Sequence, residues 1–196
     1  MNESMFEQEL SHISDLNLRN VASKLLEIFE PKMIGLSSSR GGIHHPPDED
    51  SETGFILHCK RVAYMCCEIV REHDLKDFWK NVMIFSAIFH DIGRIIPYLL
   101  KDKNGKEYGE FKMHKSGHGP KSVELIMKEL KRINTSRLRT YLSSIYQCIA
   151  SHMSHWDKDA PRPATVTEVL FATADYFASR RWIKTPTLEL KEIVEL

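Results

Sequence analysis

The chain has 196 residues, 42% of them hydrophobic, enough to bury one core without disulfide or metal staples. Its 27 Lys and Arg balance 27 Asp and Glu, which excludes a protein that wraps long nucleic acid by charge alone but leaves room for a local basic pocket. The four cysteines make no CxxC motif, and Cys66 and Cys67 adjoin inside an apolar helical pattern, so they read as reduced core residues of a cytoplasmic protein.

The N-terminal stretch MNESMFEQELSHISDL is acidic and lacks the basic and apolar regions of a signal peptide. No run of about eighteen apolar residues marks a membrane span, so no membrane partner is expected. Phe6, Leu10, Ile13, Leu16, Val21, Leu25 and Ile28 recur at spacings near three and four, predicting a helix over about 5–30 that Pro31 stops. GLSSSRGGIHHPPDEDSETG, residues 35–54, is rich in Gly, Ser and Pro and reads as a loop whose length favours a functional role over a passive link. Thr53 is placed to cap the next helix, over 55–73, and another helix runs from about Asp77 to His90.

The segment 101–119, KDKNGKEYGEFKMHKSGHG, carries an Asn-Gly turn and is either a short hairpin or a plain loop. Helices follow at about 120–133, 136–153 and 164–183, with a short terminal one near 187–195. The charge alternation of LELKEIVEL reads as a solvated helix face or a partner surface, and a homo-oligomer is admitted. With no repeat and no break in composition, the expected fold is all-α, a single compact helical bundle with two long loops. Residues 1–34 would be a helical extension packed on a domain of residues 35–196.

Chemistry enters with IFSAIFHDIGR, where an apolar helix ends in His90 and Asp91. His58, His152 and Asp175 also interrupt apolar helical stretches, and His118 stands where a helix begins. Each alone reads as a hydrogen-bonded core residue, but burying all of them without partners costs several kcal/mol per group. Convergence on a cation removes that cost. Imidazole and carboxylate without thiolate suit Mn, Fe, Co, Ni or Zn, with Mg less natural and Ca less so again.

The order and context of these residues resemble the HD-domain metal-dependent phosphohydrolase superfamily over about residues 54–181. FHDIGR resembles its HDIG signature, GHGPKSVELI the matching segment of ribonuclease Y-like members, and CIASHMSHW a further family segment. The flanks IHHPPDEDSETGFILHCKRVA and PRPATVTEVLFATADYFASR are similar to HD-type bacterial 3′–5′ exoribonucleases. The resemblance implies one metal on His58, His90, Asp91 and Asp175, and a second on His118 and His152 with Asp91 bridging. The two additional histidines mark the superfamily's two-metal subset.

The same resemblance implies a phosphohydrolase that cleaves a phosphodiester or phosphate bond of a small nucleotide or short oligonucleotide by metal-activated water. A nucleoside mono- or triphosphate phosphohydrolase and a non-catalytic nucleotide-binding regulator are the alternatives; a missing GYP motif argues against a cyclic-di-GMP hydrolase. Asp91 would be catalytic together with Arg94, whose guanidinium would grip phosphate oxygens. Lys115, Lys121, Arg180 and His155 are further candidates for substrate, with His155 also open as a metal ligand. His114 competes with His118, and His44 and His45 are either a lid or solvent-exposed loop residues. Trp156 and Tyr176 either stack on a base or belong to the core, while His12 and His73 read as surface residues.

Overall fold

A helix that is apolar on every side is stable only when other elements surround it. Helix α4 (Asp77–Phe89) is such a helix, with Val82, Met83, Ile84, Phe85, Ala87, Ile88 and Phe89 fully buried. The computed structural model describes residues 4–38, 45–101, 107–113, 117–133, 135, 138–154, 156–157 and 160–188, and for 96–101 and 107–113 the backbone. Around α4 lie α3 (Gly54–Glu72), α6 (Arg139–Ser151) and α7 (Val166–Ala178); α5 (His118–Leu130) packs along α6. The fold is all-α, as expected, with one two-stranded hairpin added.

The N-terminal pattern divides into α1 (Glu7–Ser11) and α2 (Leu16–Met33) instead of one helix over 5–30. The break has a local cause: Asp15 is a new N-cap whose side chain accepts from Leu18 N at 3.0 Å. Pro31 does not stop α2, which runs on to Met33. So close to the helix end, its missing N–H costs a single backbone bond. Phe6, Leu10, Leu18, Leu25 and Met33 belong to the same core as α4. Lys60 Nζ sits 2.9 Å from Glu9 Oε2, and Ser14 N donates to the buried Asn81 Oδ1 at 2.8 Å.

Of the two readings of residues 101–119, the described residues fit the hairpin. Strand β1 (Ile95–Lys101) pairs antiparallel with β2 (Glu107–Met113), from Ile95 opposite Met113 to Lys101 opposite Glu107. Pairing therefore begins before residue 101, where β-branched Ile95 and Ile96 favour an extended backbone. The Asn-Gly pair lies outside the described residues. In the first loop, Pro47–Glu49 forms a 3₁₀ turn, and Thr53 occupies the N-cap position of α3 without a side-chain cap bond. Helix α7 ends at Ala178, short of residue 183, and its start is capped by Thr165, whose Oγ1 accepts from Glu168 N and donates to Glu168 Oε1. The terminal helix expected near 187–195 lies outside the described residues save Thr187 and Leu188, which have no regular structure.

The cysteines are free, with Cys59, Cys66 and Cys148 buried. Burial pushes the thiols of Cys67 and Cys148 up to about 12, so they behave as small apolar groups. Among the described residues no helix is long and apolar enough to cross a membrane.

Candidate metal centre

Helix α4 closes on His90, and the ring answers a need of the helix itself. Carbonyls in a last helical turn lack intrahelical partners, and His90 Nδ1 donates to Ala87 O at 2.9 Å. Helix α6 ends the same way, with His152 Nδ1 donating to Ile149 O at 2.7 Å. A carbonyl only accepts, so Nδ1 of each ring carries a proton and Nε2 is the atom turned inward. Two helix ends thus present metal-type nitrogens to one interior point.

The other helices complete it. His58 Nε2, from α3, lies 3.3 Å from His90 Nε2, and His118 Nε2, at the first residue of α5, lies 3.1 Å from His152 Nε2. Asp175 Oδ1, from α7, is 3.2 Å from His58 Nε2 and 3.7 Å from His90 Nε2. Asp91 Oδ1 is 3.1 Å from His118 Nε2, 3.6 Å from His152 Nε2 and 3.8 Å from His90 Nε2, while Oδ2 is 3.9 Å from His58 Nε2. All six residues are buried. Phe171 lies against the His90 and His152 rings, with centroids 6.0 and 6.4 Å away.

These spacings fit a cation. Ligands about 2.0–2.2 Å from one metal ion stand about 3–3.5 Å from each other. His58, His90 and Asp175 form one such group and His90, Asp91 and His152 another, and His118 joins the second through its contacts with Asp91 and His152. Imidazoles facing one another Nε2 to Nε2 in a buried site need positive charge between them.

The charges agree. Burial alone would raise the carboxyl of Asp91, but Arg94, His90 and His118 hold it well below the usual carboxylate range. Burial likewise opposes ionisation of Asp175, and His58 and His90 hold it low. Burial lowers His118 despite Asp91, whereas Asp91 and Asp175 raise His152 against the same burial. His58 is raised to about 10: burial disfavours its charged form, but Asp175 and Glu49 outweigh it.

A histidine whose folded value is raised stabilises the protein below its unfolded value and loses that contribution as pH climbs through the folded value. The metal-free protein is therefore expected to lose stability, on the order of a few kcal/mol, between pH 6.5 and about 10 as His58 deprotonates. Denaturant midpoints measured across that range in a chelator check this; a flat or rising midpoint contradicts it.

A tight contact joins the halves of the site. The 3₁₀ turn Ile92–Arg94 lies on α5, where Gly93 N donates to Ser122 Oγ at 2.7 Å. That oxygen is also 2.5 Å from His90 O and 2.8 Å from His118 O. A Cβ on Gly93 would lie 2.2 Å from His118 O and 2.6 Å from Ser122 N, so only glycine fits.

All six expected metal-type residues come together. Arg94 is beside them but turned inward, with Nη1 2.6 Å from Asp91 Oδ2 and Nη2 donating to Ser38 O at 2.6 Å. Lys121 pairs with Glu124 at 2.8 Å near the start of α5. His44, His114, Lys115 and His155 lie outside the described residues. Trp156 and Tyr176 are not core residues: they are 60% and 39% exposed, and their rings are nearly parallel, 3° apart, with centroids at 6.1 Å. Arg180 lies over Tyr176 at 4.4 Å. His12 is half-buried rather than on the surface, with Nδ1 3.8 Å from Cys67 Sγ.

His45 is not a loose loop residue, because its ring packs edge-on against His58 and its Nδ1 lies 2.8 Å from Glu49 Oε2. Glu49, fully buried, is the residue that reading the sequence missed. A signal was present in Arg61, three residues after His58 on an apolar helix, which requires a carboxylate partner; Glu49 Oε1 meets its Nη1 at 2.8 Å.

Five helices, α3 to α7, thus bring imidazoles and carboxylates to one buried point, which defines an all-α protein with a metal-type centre. The profile of the HD domain family matches residues 55–180, most of the chain, and the chain belongs to that family of metal-dependent phosphohydrolases. Neither the search of curated proteins nor the search of solved structures found a significant match.

Proposed function

We propose that this protein hydrolyses a phosphodiester or phosphate bond in a small nucleotide or short oligonucleotide, using two divalent cations. The carrying observation is two facing imidazole pairs, His58 with His90 and His118 with His152, with Asp91 turned towards both. His58, His90 and Asp175 would hold one cation and His118 and His152 the other, with Asp91 shared. Nitrogen and oxygen donors suit Mn, Fe, Co, Ni or Zn, and admit Mg. When bound, such cations polarise phosphoryl oxygens and lower the pKa of coordinated water towards neutrality.

The side chains supply the rest. Arg94 fixes the Asp91 carboxylate through Oδ2 and places cationic charge beside the centre, where phosphate oxygens would be stabilised. Phe171 closes the apolar side of the site behind His90 and His152. Lys121, Lys115 and His155 remain candidates for further phosphate contacts.

The nucleotide reading is supported by a cavity of about 370 Å³ lined by His152, Trp156, Val169, Thr173 and Tyr176. A ligand-type histidine and an exposed aromatic pair share that wall, so a substrate with phosphate at the centre could lay a planar base on Trp156. Stacking of a base is worth about 1–3 kcal/mol. Trp156→Ala should therefore raise KM for a nucleotide substrate roughly tenfold, with a smaller change in kcat. Steady-state kinetics checks this; an unchanged KM places the base elsewhere.

The substrate is tested by giving the manganese-loaded protein a panel of nucleotides and an end-labelled short oligonucleotide. Nucleoside monophosphates released from the oligomer support diester cleavage. Phosphate or pyrophosphate released from monomers supports the mono- or triphosphatase. Tight nucleotide binding with no turnover under any divalent metal overturns an enzymatic role and leaves a nucleotide-binding regulator.

A further inference from the structure

Directly behind His58 sits a buried charge that the proposed chemistry does not use. Glu49 is fully buried on the 3₁₀ turn Pro47–Glu49. Its Oε2 accepts from Ser38 Oγ at 2.7 Å, lies 2.8 Å from His45 Nδ1, and faces His58 Nδ1 at 3.5 Å. His58 Nδ1 is buried and without a hydrogen bond among the described residues, and Glu49 Oε2 is the acceptor it faces.

The main chain at Glu49 is held in place. A Cβ on Gly54 would lie 1.8 Å from Glu49 O, so α3 begins in direct contact with the turn. Ser38 N donates to Glu49 O at 3.0 Å, and Arg61 spans Asp48 at 2.6 Å, Glu49 at 2.8 Å and Thr185 O at 3.0 Å. A carboxylate fixed this firmly behind one ring of a metal-type cluster has a defined geometric task.

We infer that Glu49 is a positioning residue: it accepts the His58 Nδ1–H, orients the ring so that Nε2 offers its lone pair, and makes His58 the strongest nitrogen donor of the centre. The contrast with the other histidines carries the inference. His90 and His152 use neutral backbone carbonyls for the same purpose, and His118 Nδ1 has no partner among the described residues. A carboxylate acceptor raises imidazole basicity more than a carbonyl does, and losing such an acceptor typically weakens metal binding about 10–100-fold. The position formed by His58, His90 and Asp175 is then the tighter of the two. This rests on the two-cation reading above.

His45, Glu49 and His58 Nδ1 are also near enough to hold a cation themselves. Two features disfavour that: Arg61 already supplies positive charge 2.8 Å from the same carboxylate, and His58 would have to lose both ring protons to serve two cations.

The test is calorimetric titration of chelator-stripped protein with manganese. Wild type should show two classes of site, and Glu49→Gln should weaken the tighter one about 10–100-fold while sparing the other. Arg61 keeps Asp48 in that variant, and circular dichroism verifies folding. Should the variant not fold, nitrogen-15 NMR of zinc-loaded wild type should reveal an exchange-protected Nδ1–H on His58. Unchanged affinity in Glu49→Gln, or no protected proton, overturns the inference while the two-cation reading stands. Loss of one bound ion in His45→Ala overturns it in favour of a cation at that cluster. A wild type that takes up no metal overturns both.

Discussion

Asp91→Ala is expected to take up neither cation and to turn over about a thousandfold more slowly or worse. Asp91 faces both pairs of histidines, with Oδ1 3.1 Å from His118 Nε2 and Oδ2 3.9 Å from His58 Nε2. The other carboxylate of the six, Asp175, meets one pair alone, at His58 and His90. Removing Asp91 also leaves the Arg94 guanidinium, 2.6 Å away, facing the histidines without its counter-charge. Positive charge then repels the incoming cations. Metal content by mass spectrometry and initial rates decide the matter, and Asp91→Asn, which keeps the side-chain volume, separates lost charge from lost packing. Full metal loading with full activity in either variant would remove the basis of the proposed chemistry.

Gly93→Ala should be nearly as damaging by a different route. The added methyl would overlap the backbone of α5 at His118 O and Ser122 N, and the Ser122 hydroxyl at 2.9 Å. Overpacking a core commonly costs about 1–3 kcal/mol and sometimes more. Two of these atoms are main chain, so relief requires the Ile92–Arg94 turn to move away from α5. That movement would break the Gly93 N–Ser122 Oγ bond and separate Asp91 from His118. A lower melting temperature, together with weaker metal binding in whatever protein remains folded, is the expected result. Wild-type metal affinity in a destabilised Gly93→Ala would show that the glycine serves packing alone.

Five of the six metal-type residues were legible in the sequence because each is a polar group set in or ending an apolar helical stretch, while His118, at a helix start, was picked out by the family pattern. FILHCKRVA and FATADYFAS, for example, announce their own anomaly, and the family pattern orders them. The all-α class was legible for the same reason, since periodicity is a local property. Where local signals were weaker the expectations missed: Asp15 restarts a helix inside an unbroken apolar pattern, and Pro31 is tolerated in a last turn. The hairpin was admitted at 101–119 beside a plain loop, but its first strand, from Ile95, was missed because pairing depends on a partner strand.

Sequence by itself determined which residue types lie on which helices, and hence that a cluster of metal-type side chains was to be expected in an all-α core. Tertiary structure alone decided the rest: that Glu49 stands behind His58, that Arg94 turns inward onto Asp91, and that Trp156 and Tyr176 lie exposed beside the cavity. The reason is physical. Periodicity records whether a side chain faces the core, but contacts between a loop and a helix end depend on where separate elements meet, and no local pattern encodes that.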